Sequence, residues 1–133
     1  MLSSDIWSGA KLLKKEKMLS HKDIRNEMMG ASEVSPKIMN AIHEQRLLQI
    51  WVPKQYGGLG FRLNEGLKLL FEWAKIDGSL GWMLTLCSGA NFFSRNLKPN
   101  VASTLFANPN TCFGGSGMIG GNAEKQNDGS YII

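Results

Sequence analysis

The residues with the most chemical promise form a glycine run. Gly115-Ser116-Gly117-Met118-Ile119-Gly120 has the glycine spacing of a dinucleotide fingerprint, in which backbone N–H groups at a helix N-terminus hold a pyrophosphate. That chemistry needs a helix directly after the glycines and an acidic residue about 20 positions on. Here Gly121-Asn122 leads into hairpin-like sequence. Without the helix, such a run can serve a flat cofactor, because backbone lacking Cβ lies close to a ring system and offers N–H groups to its polar edge; the plain alternative is a flexible turn. Trp82, Phe92 and Phe93, with Ser88 and Asn91, have the composition of a pocket wall carrying a few polar groups, although aromatic residues at helical spacing also build ordinary core. His21 and His43 have no nucleophile or second ligand near them in sequence and read as surface residues. Cys87 and Cys112 are far apart in apolar contexts, which argues against a metal site and against a disulfide framework. No nucleophile elbow, Walker loop, metal-ligand spacing or acid pair is present, so no catalytic residue is assigned.

The elements that must position these residues are mostly helical. Ile6, Ala10 and Leu13, then Ile24 and Met28, recur three or four positions apart from Asp5 to Met29, with Gly30 as the stop. Ser35-Pro36 opens a second helix with Ile38, Ala41 and Ile42 on its buried face, ending near Leu47 or Leu48. Ile50-Trp51-Val52-Pro53 reads as extended, leading into the turn Gln55-Tyr56-Gly57-Gly58-Leu59-Gly60. Asn64-Glu65 opens a third helix whose apolar positions nearly encircle it, so it is expected at the centre. Asp77-Gly78-Ser79 ends that helix and offers Ser79 as cap of a fourth, running to about Arg95; Pro99 starts a short fifth, to Phe106. Gly, Thr and Asn dominate after Asn108-Pro109-Asn110. Thr111-Cys112-Phe113 and Tyr131-Ile132-Ile133 read as strands, the second after an Asn127-Asp128-Gly129 turn. An apolar strand at the end of the chain lacks a partner, which points to a truncated β-domain.

The chain has 133 residues, 43% hydrophobic, enough to fill one core. Its net charge of +4 comes from Lys and Arg interleaved with acid, which reads as a solvated face and not as a nucleic-acid stripe. No secretory signal pattern opens the chain, and its longest apolar stretch, near Leu80 to Cys87, is too short for a bilayer. A soluble, reducing, cytoplasmic setting is expected.

Three segments in order carry a resemblance: Trp51-Val52-Pro53-Lys54-Gln55-Tyr56-Gly57-Gly58-Leu59-Gly60, then Asp77-Gly78-Ser79-Leu80-Gly81-Trp82, then Ser88-Gly89-Ala90-Asn91. Together they resemble the N-terminal region of the acyl-CoA dehydrogenase superfamily, with the second segment closer to its flavin-dependent hydroxylase-like branch. The resemblance implies a mainly α fold: an N-terminal helical domain over residues 1–108, and over 109–133 the start of a truncated middle β-domain. It implies FAD (or FMN) as cofactor, with Ser116 at a flavin-bonding hydroxyl position and Phe113, Gly114 and Gly115 lying along the ring. Trp82, Ser88, Asn91 and Phe92 would then line the substrate, an acyl-CoA or an aromatic compound. The family's Thr-Glu-Pro and Gly-Ser-Asp elements are replaced here by Gly115-Ser116-Gly117-Met118 and Gly120-Gly121. By the same resemblance the parent subunit adds a C-terminal helical bundle bearing the dehydrogenase's catalytic base, assembles as a tetramer and, in the hydroxylase branch, works with a flavin reductase.

Two other readings compete. One is a non-catalytic helical interaction module or inert gene fragment; the other is an acyl-CoA-binding fragment without redox chemistry.

Overall fold

The computed structural model of the chain describes residues 19–115, 117–118 and 120–133. Among these it is mainly helical: α1 (His21–Met28), α2 (Pro36–Glu44), α3 (Leu63–Ile76), α4 (Gly78–Asn91) and α5 (Pro99–Phe106), followed by β1 (Glu124–Lys125) and β2 (Tyr131–Ile132). The mainly α expectation holds. The stretch of the expected first helix before residue 19 lies outside the described residues.

Local chemistry explains the helix starts. The Ser20 hydroxyl accepts from the Asp23 N–H at 3.1 Å, and Ser35 does the same for Ile38 at 3.3 Å with Pro36 in the first turn. In α3 the Glu65 carboxylate accepts from the Arg62 N–H at 2.8 Å. The cap of α4 is Asp77, which accepts from Leu80 N–H at 2.9 Å, and not Ser79; a carboxylate there also meets the positive end of the helix dipole. The last turn before Arg95 is a 3-10 helix, Phe92–Asn96, so α4 proper stops at Asn91.

The core gathers Ile24 and Met28 of α1, Ile38 and Ile42 of α2, Leu70 and Trp73 of α3, and Leu80 and Leu84 of α4 around the buried segment Leu47 to Trp51. That segment begins as a 3-10 turn, Leu47–Gln49, entered through Arg46 at φ 55. Leu59, Gly60 and Phe61 return alongside it, donating to Gln49, Val52 and Ile50 carbonyls at 2.9–3.0 Å. The Tyr-Gly-Gly turn makes the return possible: Gly57 has φ 93, and a Cβ on Gly58 would collide with the Val52 carbonyl oxygen. Arg25 of α1 closes the far end of α3, donating to Lys75 and Ile76 carbonyls at 2.9 and 3.1 Å.

Besides the α4 cap, three expectations are corrected. Helix α2 ends at Glu44 and not near Leu47 or Leu48, because Arg46 turns the chain into a separate 3-10 segment. Helix α3 is not buried all round: Leu63, Leu67 and Phe71 stand exposed along one side, since only the side bearing Gly66, Leu70 and Trp73 meets the core. Thr111-Cys112-Phe113 is not a paired strand; among the described residues β1 and β2 alone pair, antiparallel, with Glu124 opposite Ile132 and Lys125 opposite Tyr131. Their turn is the expected Asn127-Asp128-Gly129, with Gly129 at φ 84 and Asp128 accepting from the Ser130 N–H and hydroxyl.

Surface carboxylates give a pH signature. The Ser20 hydroxyl holds Asp23 below its ordinary value, the Lys37 ammonium and then the Ser35 hydroxyl do so for Glu27, and Ser130 does so for Asp128. A carboxylate whose folded value is lowered contributes stability that is present above its unfolded value and is lost as pH falls through the folded one. The unfolding midpoint is therefore expected to decline as pH drops below about 4.5, the ordinary value for Glu27, and Glu27→Gln to flatten the decline. Thermal melts between pH 6 and pH 3, on the order of half a unit apart, check this; an unchanged slope in the variant would contradict it.

Candidate functional site

Helix α4 and the chain segment after α5 make the centre of the candidate site. Ser88 and Asn91 lie on the inner side of α4 and are fully buried. The Ser88 hydroxyl donates to the Leu47 carbonyl at 3.0 Å. The Asn91 amide donates to the Leu48 carbonyl at 2.8 Å and to the Thr111 carbonyl at 2.9 Å, and its Oδ1 accepts from the Phe113 N–H at 2.9 Å. An accepting and a donating bond to residues on either side of Cys112 are what a neighbouring strand would supply, so one side chain replaces the missing ladder. The partner of Thr111 and Phe113 is thus a helix side chain and not a strand.

Phe113 is anchored a second way, by an edge-to-face contact between its ring and that of Phe106, centroids 5.1 Å apart. Two further side chains fix the end of α5 beneath it. Arg46 donates to the Phe106 and Ala107 carbonyls at 3.2 and 3.4 Å and to Gln49 Oε1 at 2.9 Å, and Gln49 passes a bond of 2.8 Å to the Asn108 carbonyl. Arg46 and Gln49 carried no sequence signal of this role, because their partners are backbone carbonyls far along the chain.

Trp82 and Phe92 are placed differently. Trp82 is nine positions before Asn91, about two and a half helical turns, hence on the opposite side of α4, and it is 66% exposed. Phe92 begins the 3-10 turn and is 46% exposed, with the Arg95 guanidinium 5.3 Å from its ring centre. Arg95 also donates to the Trp51 carbonyl at 3.1 Å. The chain therefore brings Ser88 and Asn91 together inside and leaves Trp82 and Phe92 outside, with the polar atoms of the inner pair engaged by backbone.

The glycine stretch begins where the Asn91 clip ends. Gly114 and Gly115 are exposed, and a Cβ built on either, or on Gly117, would meet nothing within 4 Å. A planar ring could approach this backbone from the side where a Cβ would stand, which is the fit a flavin requires of it. Ser116 lies outside the described residues. No helix among the described residues is long and apolar enough to cross a membrane, and no group of three metal-ligating side chains occurs among them.

Comparison with known proteins agrees with this architecture. A family model described as acyl-CoA dehydrogenase, N-terminal domain, matches residues 14–103, which span α1 to most of α5. Searches among curated proteins and among solved structures gave no match. Since the matched stretch is well over half of the chain and contains the Tyr-Gly-Gly turn, the α3–α4 pair and Asn91 itself, the chain belongs to the acyl-CoA dehydrogenase family through its N-terminal domain.

Proposed function

We propose that the chain supplies the N-terminal part of a flavin-dependent oxidoreductase acting on an acyl-CoA-type substrate, with residues 1–108 as the helical domain and 109–133 as the beginning of the β-domain. The observation that carries this reading is the Asn91 clip, which delivers Phe113 and the open backbone of Gly114 and Gly115 from the family's helical domain. FAD is the flavin proposed. A bound flavin supplies two-electron redox chemistry; the residues of this chain orient it and exclude water. Gly114 and Gly115 lie along the ring, Ser116 offers a hydroxyl, and Phe113 fixes the approach. Trp82 and Phe92 contribute apolar substrate surface, while Ser88 and Asn91 hold the backbone behind it.

The test is a flavin titration read by fluorescence quenching, on the chain and on a version extended through its natural downstream sequence. Saturable quenching by either form supports the reading, whereas none by both would sink it and leave a helical interaction module. Because a side chain at Gly114 or Gly115 enters open space, Gly115→Val is expected to leave the unfolding midpoint unchanged and to weaken flavin binding at least about tenfold, the loss of about 1.4 kcal/mol. Equal binding by the variant would remove the glycine stretch from the site.

A monooxygenase of the related branch is favoured by one feature, Asp77-Gly78-Ser79-Leu80-Gly81-Trp82 at the start of α4. That activity would call for a partner flavin reductase and an aromatic substrate. Bleaching of bound flavin by an acyl-CoA selects the dehydrogenase; reductase-dependent oxygen consumption selects the other.

A further inference from the structure

Cys87 and Cys112 lie far apart in sequence, yet the fold brings them together. Cys87 is one turn before Asn91 on α4, and Asn91 grips Thr111 and Phe113, the two neighbours of Cys112. Residues four apart on a helix share a face, so the clip that holds Thr111 and Phe113 sets Cys112 over the turn that carries Cys87. Both cysteines are free thiols. Cys87 is half-buried against the core, while Cys112 is exposed as a residue with its Sγ 3.5 Å from the Phe113 carbonyl.

From this juxtaposition we infer that Cys87 and Cys112 form a reversible disulfide that locks the segment leading into Gly114 and Gly115 onto α4. Partial shielding and the Cys87 thiol beside it push the Cys112 thiol up to about 12. Either sulfur can open the reaction, since the second step joins the same pair. With hydrogen peroxide as oxidant and Cys87 reacting first, its sulfur displaces hydroxide, which leaves as water, and becomes a sulfenic acid. The Cys112 sulfur then attacks it, giving up its proton and releasing a second water. Each sulfur loses one electron and the peroxide gains two. A dithiol reductant reverses the bond by thiol exchange. The lock requires no flavin and stands apart from the reading above.

The test treats the reduced full chain with hydrogen peroxide, quenches it by alkylation and reads intact mass and peptides. The expected result is a monomer lighter by about 2 Da, with Cys87 and Cys112 in one crosslinked peptide. The bond should form at least about tenfold faster in buffer than in denaturing urea, because only the folded chain holds the sulfurs together. The oxidised chain should melt about 5–10 °C higher than the reduced one, and the Cys112→Ser variant, which cannot resolve, should stop at oxidised or adducted Cys87. Two alkylatable thiols after treatment, intermolecular dimers, or equal rates with and without urea would each overturn the inference.

Discussion

Asn91→Ala is expected to lower stability by about 3 kcal/mol, seen as a fall of about 1.5 M in the urea midpoint. Asn91 is fully buried and makes three bonds of 2.8–2.9 Å to the backbone of Leu48, Thr111 and Phe113. Truncation strands the Leu48 carbonyl, buried at 3% exposure, where water cannot replace the lost donor. Water can reach the half-buried Thr111 and Phe113, so their bonds are recovered in part, which keeps the total nearer 3 than the sum of three full penalties. The Asn91→Asp variant separates hydrogen bonding from volume. It keeps an acceptor for the Phe113 N–H but turns a carboxylate toward two carbonyl oxygens, which raises its folded pKa above the ordinary carboxylate value of about 3.9. A raised carboxylate costs stability as pH climbs from the unfolded to the folded value, so this variant should be weaker at pH 7 than at about pH 4, opposite to the slope set by Glu27 and Asp23. Urea titrations at both pH values check the sign. A loss under about 1 kcal/mol in Asn91→Ala would mean that solvent already serves the clip.

The features legible from sequence are those whose cause is local. Ser35-Pro36, Pro99 and Asn127-Asp128-Gly129 each set backbone geometry within a few residues, and each stands where its chemistry predicts. Asp77 and Ser79 are both competent caps; Asp77 wins because its carboxylate reaches the Leu80 N–H, a choice that spacing alone leaves open. The encircling apolar pattern of α3 misleads for a different reason. Periodicity reports apolar content but not which side meets the core, and here Leu63, Leu67 and Phe71 remain outside. Thr111-Cys112-Phe113 has strand composition, yet its bonds go to Asn91, a partner no pairing rule anticipates. The candidate site is legible in sequence as residue types but not as an arrangement: Ser88 and Asn91 stand out as polar groups among small and apolar neighbours and read as substrate wall, whereas their polar atoms go to backbone some forty positions earlier or twenty later along the chain, at Leu47, Leu48 and Thr111. The nearness of Cys87 and Cys112 follows from that same clip and was invisible for the same reason.

The two interior glycines of α4 provide the second large effect, with opposite signs. A Cβ on Gly81 would lie 2.5 Å from the Ala74 Cα, 2.6 Å from its Cβ and 2.9 Å from its N, so α3 and α4 would have to separate by about 1 Å to restore ordinary contact. Neither side of that contact is a flexible side chain that can swing away. Separation loosens Leu80 and Leu84 from Leu70 and Trp73, all within the core. Overpacking of this kind costs about 3 kcal/mol, against which the better helix propensity of alanine returns about 1, so Gly81→Ala should lose about 2 kcal/mol. Gly89 sits in the same helix with nothing within 4 Å of a built Cβ, so Gly89→Ala meets only the propensity term and should gain up to about 1 kcal/mol. The pair is its own control, since helix, solvent and chemical change are shared and only the distance to Ala74 differs. Thermal or urea unfolding of both variants gives the answer. Equal shifts would mean that α3 and α4 already yield to a methyl group, and that the small residues of α4 reflect tolerance; opposite shifts would tie Gly81 to the close α3–α4 contact that holds Ser88 and Asn91 against the buried segment.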